Sequence, residues 1–592
     1  MSRSAAAIQT ALTQLNANQD EQAKVTLRRV LQKDPGDPEA NKLMGMLLAG
    51  QHQHEQALFF LKRAIQSAPK EPQLWFLLGN LYLFMRRDKE GADAYREVVR
   101  LSPTHLRAYD GLAKCLLRAG DHVGGVAAYE AGIAAAPDDP VAYRAMASAL
   151  STMGRVPEGI AALRRGIARL PADPGLRESL CYQINFTDDL SPREIFEEHA
   201  ALGRLVQKAA RRPAPALLNS KDPARRLRVG IVSGDFCDHP CGVFMEGPLR
   251  ELDRDQFELF LYYVRAEVEE PTKRFAAMAG AGWRHMPAAP SEAVAAQVVH
   301  DRIDILIDAM GWTELQRMAV FEPRSAPVQM TWLGYPNTTG LPSMDYRIVD
   351  ALTDPPGSEA LCTEKLLRLP RCFVCYKPEA DAPEPQMTRA LSEPESGEPI
   401  TFGSFNRLSK VRPATARAWG AILNSVPGSR LMLKSSLVSE DVKAEYLREF
   451  AAAGVGPERL VWSSYVFGPK AHLSMYHQVD IALDSFPYNG TTTTCEATWM
   501  GVPVVTLTGQ THRERVGTSL LTALGLPELI APTREQFIET AADLANDRAR
   551  LAEYHRTLRG RMAASGLCDA KGFARKFEAA LREAWRARCV SS

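Results

Sequence analysis

The sequence predicts an all-α repeat array followed by two Rossmann-like α/β units in tandem. Three observations carry this reading. Prolines recur at Pro35, Pro69, Pro103, Pro137 and Pro171, a constant step of 34 residues. From Leu227 onward, short β-branched runs alternate with helical stretches, the pattern of a parallel, doubly wound sheet. After a loop at Pro378–Pro399 that alternation begins again.

The step of 34 also links Gly45, Gly79, Ala113 and Ala147, and separately Trp75, Tyr109 and Tyr143. Small residues inside each helix pair and a proline at each junction are the tetratricopeptide (TPR) signature, so residues 1–180 resemble a TPR array. Such an array is a superhelical arm whose groove takes a peptide or protein; a rigid spacer or an oligomerisation surface is the alternative. Residues 181–226 read as a helical adaptor and linker. Ser191-Pro192-Arg193-Glu194 opens a helix, and the proline-rich stretch Ala209–Arg226 ends the adaptor.

Runs such as LRVGIVSGD (Leu227–Asp235) and IDILIDAM (Ile303–Met310) place a first Rossmann-like domain at 227–395. ITFGSFN (Ile400–Asn406) and DIALD (Asp480–Asp484) belong to a second at 396–592, closed by an amphipathic helix at Asp569–Ala587. Two such units imply a ligand cleft at the carboxyl ends of the strands.

The stretch DSFPYNGTTTTCEATWM (Asp484–Met500) is the most informative one. A strand ends in a turn at Asn489-Gly490, and Thr491, Thr492 and Thr493 lead into a helix carrying Glu496. Positive-φ backbone, hydroxyls and the N–H groups of a helix start make an anion pocket, with phosphate the usual occupant. Lys410, just past a strand end, adds a compact cation suited to a departing diphosphate. His239, on a loop after IVSGDF, is the general-base candidate.

Composition excludes other classes. The 592 residues carry 71 basic and 70 acidic side chains, so no nucleic-acid or membrane field is implied. No apolar run approaches the ~20 residues of a membrane span, and the amino terminus lacks a signal-peptide core. Ten scattered cysteines suit a reducing, cytoplasmic setting. Neither Cys237-Asp-His-Pro-Cys241 nor Cys372-Phe-Val-Cys375 has the four ligands of a structural zinc site, so no metal is expected.

As a set, SGDFCDHP, WLGYPNTTG, MDYRIVD, EKLLRLP, FGSFNRLSKVRP, DIALDSFPYNGTTTTCEATWMGVPVVTLTG and LLTALGLPELI resemble the catalytic region of bacterial TPR-containing members of the O-linked N-acetylglucosamine transferase family. The resemblance implies a GT-B fold and metal-independent, inverting transfer from a UDP-sugar to serine or threonine of an acceptor protein. It implies Lys410, Thr492 and Thr493 at the diphosphate, Glu496 on the ribose, and Leu408 and His472 near the uridine. It further implies His239 against the acceptor and the Leu333-Gly334-Tyr335 loop facing the donor sugar.

The chain departs from animal members at Arg407 (glutamine there), Ser409 (tyrosine), Thr491 (histidine) and Glu314 (lysine). Arg407 and Thr491 border the nucleotide and sugar. A different donor, such as a CMP-linked acidic sugar used on flagellin, is therefore a second reading. A nucleotide-binding scaffold without catalysis is a third, against which the presence of both His239 and Lys410 argues.

Overall fold

The structure, a computed structural model, describes residues 3–210, 213–435, 440–464, 466 and 468–590. Part of the predicted linker, Arg211 and Arg212, lies outside the described residues. The chain forms two compact units: Met1–Leu150 with Ala162–Pro171 and Ser439–Asp441, and Ser151–Ala161 with Ala172–Val438 and Val442–Ser592.

In the first unit, helices of 13 or 14 residues follow one another from Arg3–Asn16 to His122–Ala135. The 34-residue step has a bonding cause. The carbonyls of Pro35, Pro69, Pro103 and Pro137 accept from Asn41 Nδ2 (3.0 Å), Trp75 Nε1 (2.8 Å), Tyr109 Oη (3.0 Å) and Tyr143 Oη (3.1 Å). Each donor stands six residues on, in the next helix. Proline ends the preceding segment, and its carbonyl then needs a partner that the next repeat supplies. Gly79 lies so close to the following helix that a Cβ there would stand 2.9 Å from the Tyr95 ring.

The second unit holds two parallel sheets. The first contains β1 (Leu227–Ser233), β2 (Phe257–Tyr263), β3 (Trp283–His285), β4 (Ile305–Asp308), β5 (Val328–Trp332), β6 (Tyr346–Asp350) and β7 (Lys365–Leu369). Its order is β3-β2-β1-β4-β5-β6-β7. The second contains β8 (Thr401–Ser404), β9 (Arg430–Ser435), β10 (Leu460–Ser464), β11 (Ile481–Leu483), β12 (Val504–Leu507) and β13 (Ile530–Ala531), in the order β10-β9-β8-β11-β12-β13. The winding is the same in both. The direction of travel reverses between β1 and β4 and again between β8 and β11, and these switch points open crevices at the carboxyl strand ends.

A five-residue pattern builds both switch points: Asp304-Ile-Leu-Ile-Asp308 and Asp480-Ile-Ala-Leu-Asp484. The first aspartate of each takes a backbone N–H at the start of the neighbouring strand, Arg228 at 2.8 Å and Thr401 at 2.7 Å. The second ends the pattern, fully buried. Asp308 accepts from the Met310 and Gly311 amides (3.1 and 2.9 Å) and from Thr331 Oγ1 on β5 (2.8 Å). Asp484 accepts from the Ser485 and Gly490 amides (2.9 and 2.7 Å) and from Thr506 Oγ1 on β12 (2.7 Å).

The final helix, Ala570–Val590, returns to the first sheet. Phe573, Phe577, Leu581 and Trp585 join its core, with the Phe577 and Trp332 ring centroids 4.8 Å apart. Ser519 Oγ donates to Asp350 (2.6 Å) and His512 Nδ1 lies 2.5 Å from Asp354, so polar bonds also tie the two sheets together. Among the described residues, no helix is long and apolar enough to cross a membrane.

Burial pushes the Asp308 carboxyl up to about 6, against its hydrogen bonds. An unfolded carboxyl titrates near 3.9, so between about pH 4 and 6 the folded state holds a proton that the unfolded state has released. Stability therefore falls as pH rises through that window, by up to about 1.4 kcal/mol per pH unit from this group. Asp308→Asn is neutral and keeps an acceptor for both amides. Its melting temperature should fall less than that of the parent between pH 4.5 and 6.5 in calorimetry; an unchanged slope would acquit Asp308.

Candidate functional site

Residues from both switch points meet in one cleft. After β8 the chain runs through Asn406 and Arg407 into a single turn, Leu408–Lys410. After β11 it runs through Tyr488-Asn489-Gly490 into the helix Thr492–Trp499. Lys410 Nζ donates to the Asn489 carbonyl (2.8 Å) and lies 3.9 Å from the Tyr488 ring centroid. The ammonium is thus held at the threonine-led helix start, where the sequence analysis expects a diphosphate. Burial pushes it down to about 8, against the pull of Asp484 and with help from Arg407.

The four threonines divide their work. Thr494 Oγ1 donates to the Gly490 carbonyl (3.1 Å) and Thr493 Oγ1 to Asn406 Oδ1 (3.0 Å), which joins the two loops. Thr491 and Thr492 are half-buried, and Thr491 does not cap the helix with its hydroxyl. Deeper in, His472 Nε2 lies 3.0 Å from Glu496 Oε2. Lys434, at the carboxyl end of β9, contacts His472 Nδ1.

From the first sheet, His239 caps the helix Pro240–Arg250. Two groups compete for its Nδ1: the Cys241 amide at 3.2 Å, which needs a lone pair, and Asp235 Oδ2 at 3.4 Å, which needs a proton. Only with Asp235 as partner does Nε2 carry the lone pair that a base requires. Burial lowers the His239 pKa, Asp235 opposes this, and the cations Arg265 and Arg407 lower it further. Exposed Arg407 thus acts on His239 from the other sheet, which brings the two halves of the cleft within electrostatic reach.

Asp235, His239 and Cys241 place three donor atoms within 4.8 Å of one another. With Arg265 3.8 Å from Asp235 and the Cys241 amide on Nδ1, the group reads as the hydrogen-bond frame of the histidine. Cys237 turns away, its thiol on the Gly234 carbonyl.

Four expected contact residues have other work. Asn489 is fully buried: Nδ2 donates to Ser485 O (3.0 Å) and Oδ1 accepts from the Gly517 amide (3.2 Å). It braces the loop, and its full burial turns the side chain away from a ligand. Tyr335 is buried, its hydroxyl shared among Cys181 O (2.8 Å), Asn185 Nδ2 (2.9 Å) and His199 Nε2 (2.7 Å), so it anchors the adaptor. Gly334 is small for the sake of its own fold, since a Cβ there would stand 2.1 Å from the Ala309 carbonyl. The Leu408 side chain is buried, and its carbonyl takes the Tyr446 hydroxyl (2.6 Å). Leu333, next to these, adopts φ +76°. Sequence reasoning missed Asp235, Asn406, Lys434, Asp484 and Tyr488 as parts of the site. The repeated Asp-Ile-x-x-Asp pattern was the available signal for Asp484.

The model of glycosyl transferase family 41 matches residues 178–379 and 387–577, and tetratricopeptide repeat models match 5–37 and 72–105. The chain is 38% identical over 375 residues to an Arabidopsis thaliana protein named "Probable UDP-N-acetylglucosamine--peptide N-acetylglucosaminyltransferase SPINDLY", covering 63% of this chain and 41% of that one. It is 27% identical over 482 residues to the Caenorhabditis elegans UDP-N-acetylglucosamine--peptide N-acetylglucosaminyltransferase, covering 61% and 41%. The chain thus spans about two fifths of the length of these curated relatives. A solved structure of a Thermobaculum terrenum O-GlcNAc transferase mutant aligns with TM-score 0.65 and 29% identity, over 100% of this chain and 99% of that one. With the family model covering most of the sequence and both sheets in place, the chain belongs to glycosyl transferase family 41.

Proposed function

We propose that this glycosyltransferase is a protein O-glycosyltransferase that moves N-acetylglucosamine from a UDP-linked donor to a serine or threonine hydroxyl, with inversion. One observation carries the reading: a base candidate and a leaving-group cation come from opposite switch points of one cleft, His239 on the first sheet and Lys410 on the second. The acceptor oxygen attacks the anomeric carbon while the bond from that carbon to the diphosphate oxygen breaks. The hydroxyl proton passes to His239 Nε2 in the tautomer backed by Asp235. Lys410, with the Thr492 hydroxyl and the Thr492 and Thr493 amides at the helix start, meets the charge left on the diphosphate, which is the chemistry that a metal ion would otherwise supply. The TPR unit selects the acceptor protein. All ten cysteines are free, in keeping with a reducing cytoplasmic setting.

Arg407 favours a second reading. Its exposed guanidinium in the cleft suits a donor that carries a carboxylate, such as a CMP-linked acidic sugar. A thermal-shift panel of nucleotide-sugars separates the two. UDP-N-acetylglucosamine should raise the melting temperature, by an amount equivalent to about 2.7 kcal/mol at a hundredfold excess over Kd. Stabilisation by CMP-sugars alone would overturn the donor assignment.

Lys410→Ala should lower kcat by about 10²- to 10³-fold, the usual cost of removing one charge-stabilising donor, with the melting temperature little changed. Near-native transfer of radiolabelled sugar by this variant would remove Lys410 from the mechanism. The profile of kcat/KM against pH should be bell-shaped. Activity rises as His239 loses its proton, below the ordinary histidine value, and falls as Lys410 loses its charge near pH 8. A rate still rising at pH 9 would rule out the lysine limb.

A further inference from the structure

We propose that Lys434 is a positioning residue that locks one tautomer of His472 and so aims Glu496 at the ribose of the nucleotide. The inference rests on the nucleotide-sugar reading above and adds a residue that neither the sequence motifs nor the family resemblance singles out.

Lys434 sits on β9, buried, at the carboxyl end of the strand beside β8. Its Nζ meets His472 Nδ1, and Nζ also lies 5.7 Å from the Phe405 ring centroid. An ammonium can only donate, so Nδ1 must accept and carries no proton. The single proton of the neutral ring is then on Nε2, which faces Glu496 Oε2 at 3.0 Å. Donation therefore runs one way, from Lys434 to His472 to Glu496. Glu496 sits in the second turn of the helix that starts the expected diphosphate site, so its carboxylate is about one turn from the phosphates.

The direction matters for binding. With Oε2 tied to the ring and the Tyr476 hydroxyl also beside the carboxylate, Glu496 is held in one orientation, from which its remaining lone pairs face the two hydroxyls of a ribose, which need acceptors. Without the lysine, the histidine is free to move its proton to Nδ1. Nε2 then turns a lone pair toward the carboxylate, the two repel, and the carboxylate loses its aim. Three elements far apart in sequence, β9 and the helices Pro469–Ser474 and Thr492–Trp499, are thus set by one buried ammonium. This is the kind of outer support that fixes the orientation of a ligand-contacting group.

The test has a spectroscopic arm and a binding arm, both on the full chain. Long-range ¹⁵N spectra of the histidines, without ligand, report the tautomer, and the signal missing in His472→Gln identifies His472. The parent should show the proton on Nε2, and Lys434→Met should show a mixture or the Nδ1 form. Titration calorimetry should then give a UDP affinity about tenfold weaker for Lys434→Met, with inorganic pyrophosphate bound as in the parent and most of the loss recovered in Lys434→Arg. A parent His472 protonated on Nδ1, or the same tautomer in Lys434→Met, overturns the proposal. So does unchanged UDP binding alongside a changed tautomer. An equal loss for pyrophosphate would make Lys434 a phosphate ligand instead. If UDP fails to bind even the parent, the UDP-donor reading falls, and with it the positioning role at a UDP ribose, while the spectra still decide whether the lysine sets the tautomer.

Discussion

Two buried carboxylates, Asp308 and Asp484, hold the parts on which the cleft is built. Each stands where a central strand gives way to a loop, and each gathers two loop amides and a threonine hydroxyl from the next strand. A loop at a carboxyl strand end has no regular partners for its amides, and an unpaired buried amide costs about 1–3 kcal/mol. One carboxylate satisfies two of them and pins the loop to the neighbouring strand in the same step. Burial raises the cost of that charge, and it pushes both groups up to about 6. The fold accepts this cost at the two places where the direction of winding reverses.

The correspondence extends to Asp304 and Asp480, which take amides at the starts of the neighbouring strands. Each Asp-Ile-x-x-Asp segment therefore staples a central strand at both ends. The spacing of four carries the first carboxylate to the start of the strand and the second to its finish, at about 3.3 Å per residue. Two sheets of the same winding with the same staples present their crevices through equivalent loops. This is why His239 and Lys410, about 170 residues apart in sequence, end in one cleft.

Much of this was legible in the residues. Proline spacing announced the repeats because a proline carbonyl and a donor six residues later recur together, from Pro35–Asn41 to Pro137–Tyr143. The alternation of β-branched runs and helices announced two sheets, and Lys410 stood out as a compact cation past a strand end. Side-chain direction was not legible. Asn489 and Tyr335 lie inside motifs that face a cleft, yet their own polar atoms point inward, and a linear motif does not distinguish the two cases. Lys434 was missed for the opposite reason. It reads as an ordinary strand residue until β9 is placed beside β8 and the helix carrying His472 closes over it.

The same burial that shapes the loops also governs the chemistry proposed for the cleft. Desolvation alone would strip Lys410 of its proton well below the usual lysine range, and Asp484 only partly offsets this. A diphosphate brings at least two negative charges next to that ammonium, and opposite charge nearby favours the protonated form. At neutral pH the ammonium therefore stays largely charged, with its titration brought down to about 8, and a bound diphosphate holds it as a full cation at higher pH as well. A solvent-exposed lysine would carry its charge at all times, but water would weaken its pull on the diphosphate severalfold. A half-buried one gives up some charge when empty in exchange for a stronger interaction when filled, and the threonine-led helix start, with its own partial positive charge, adds to that interaction without any ionisation.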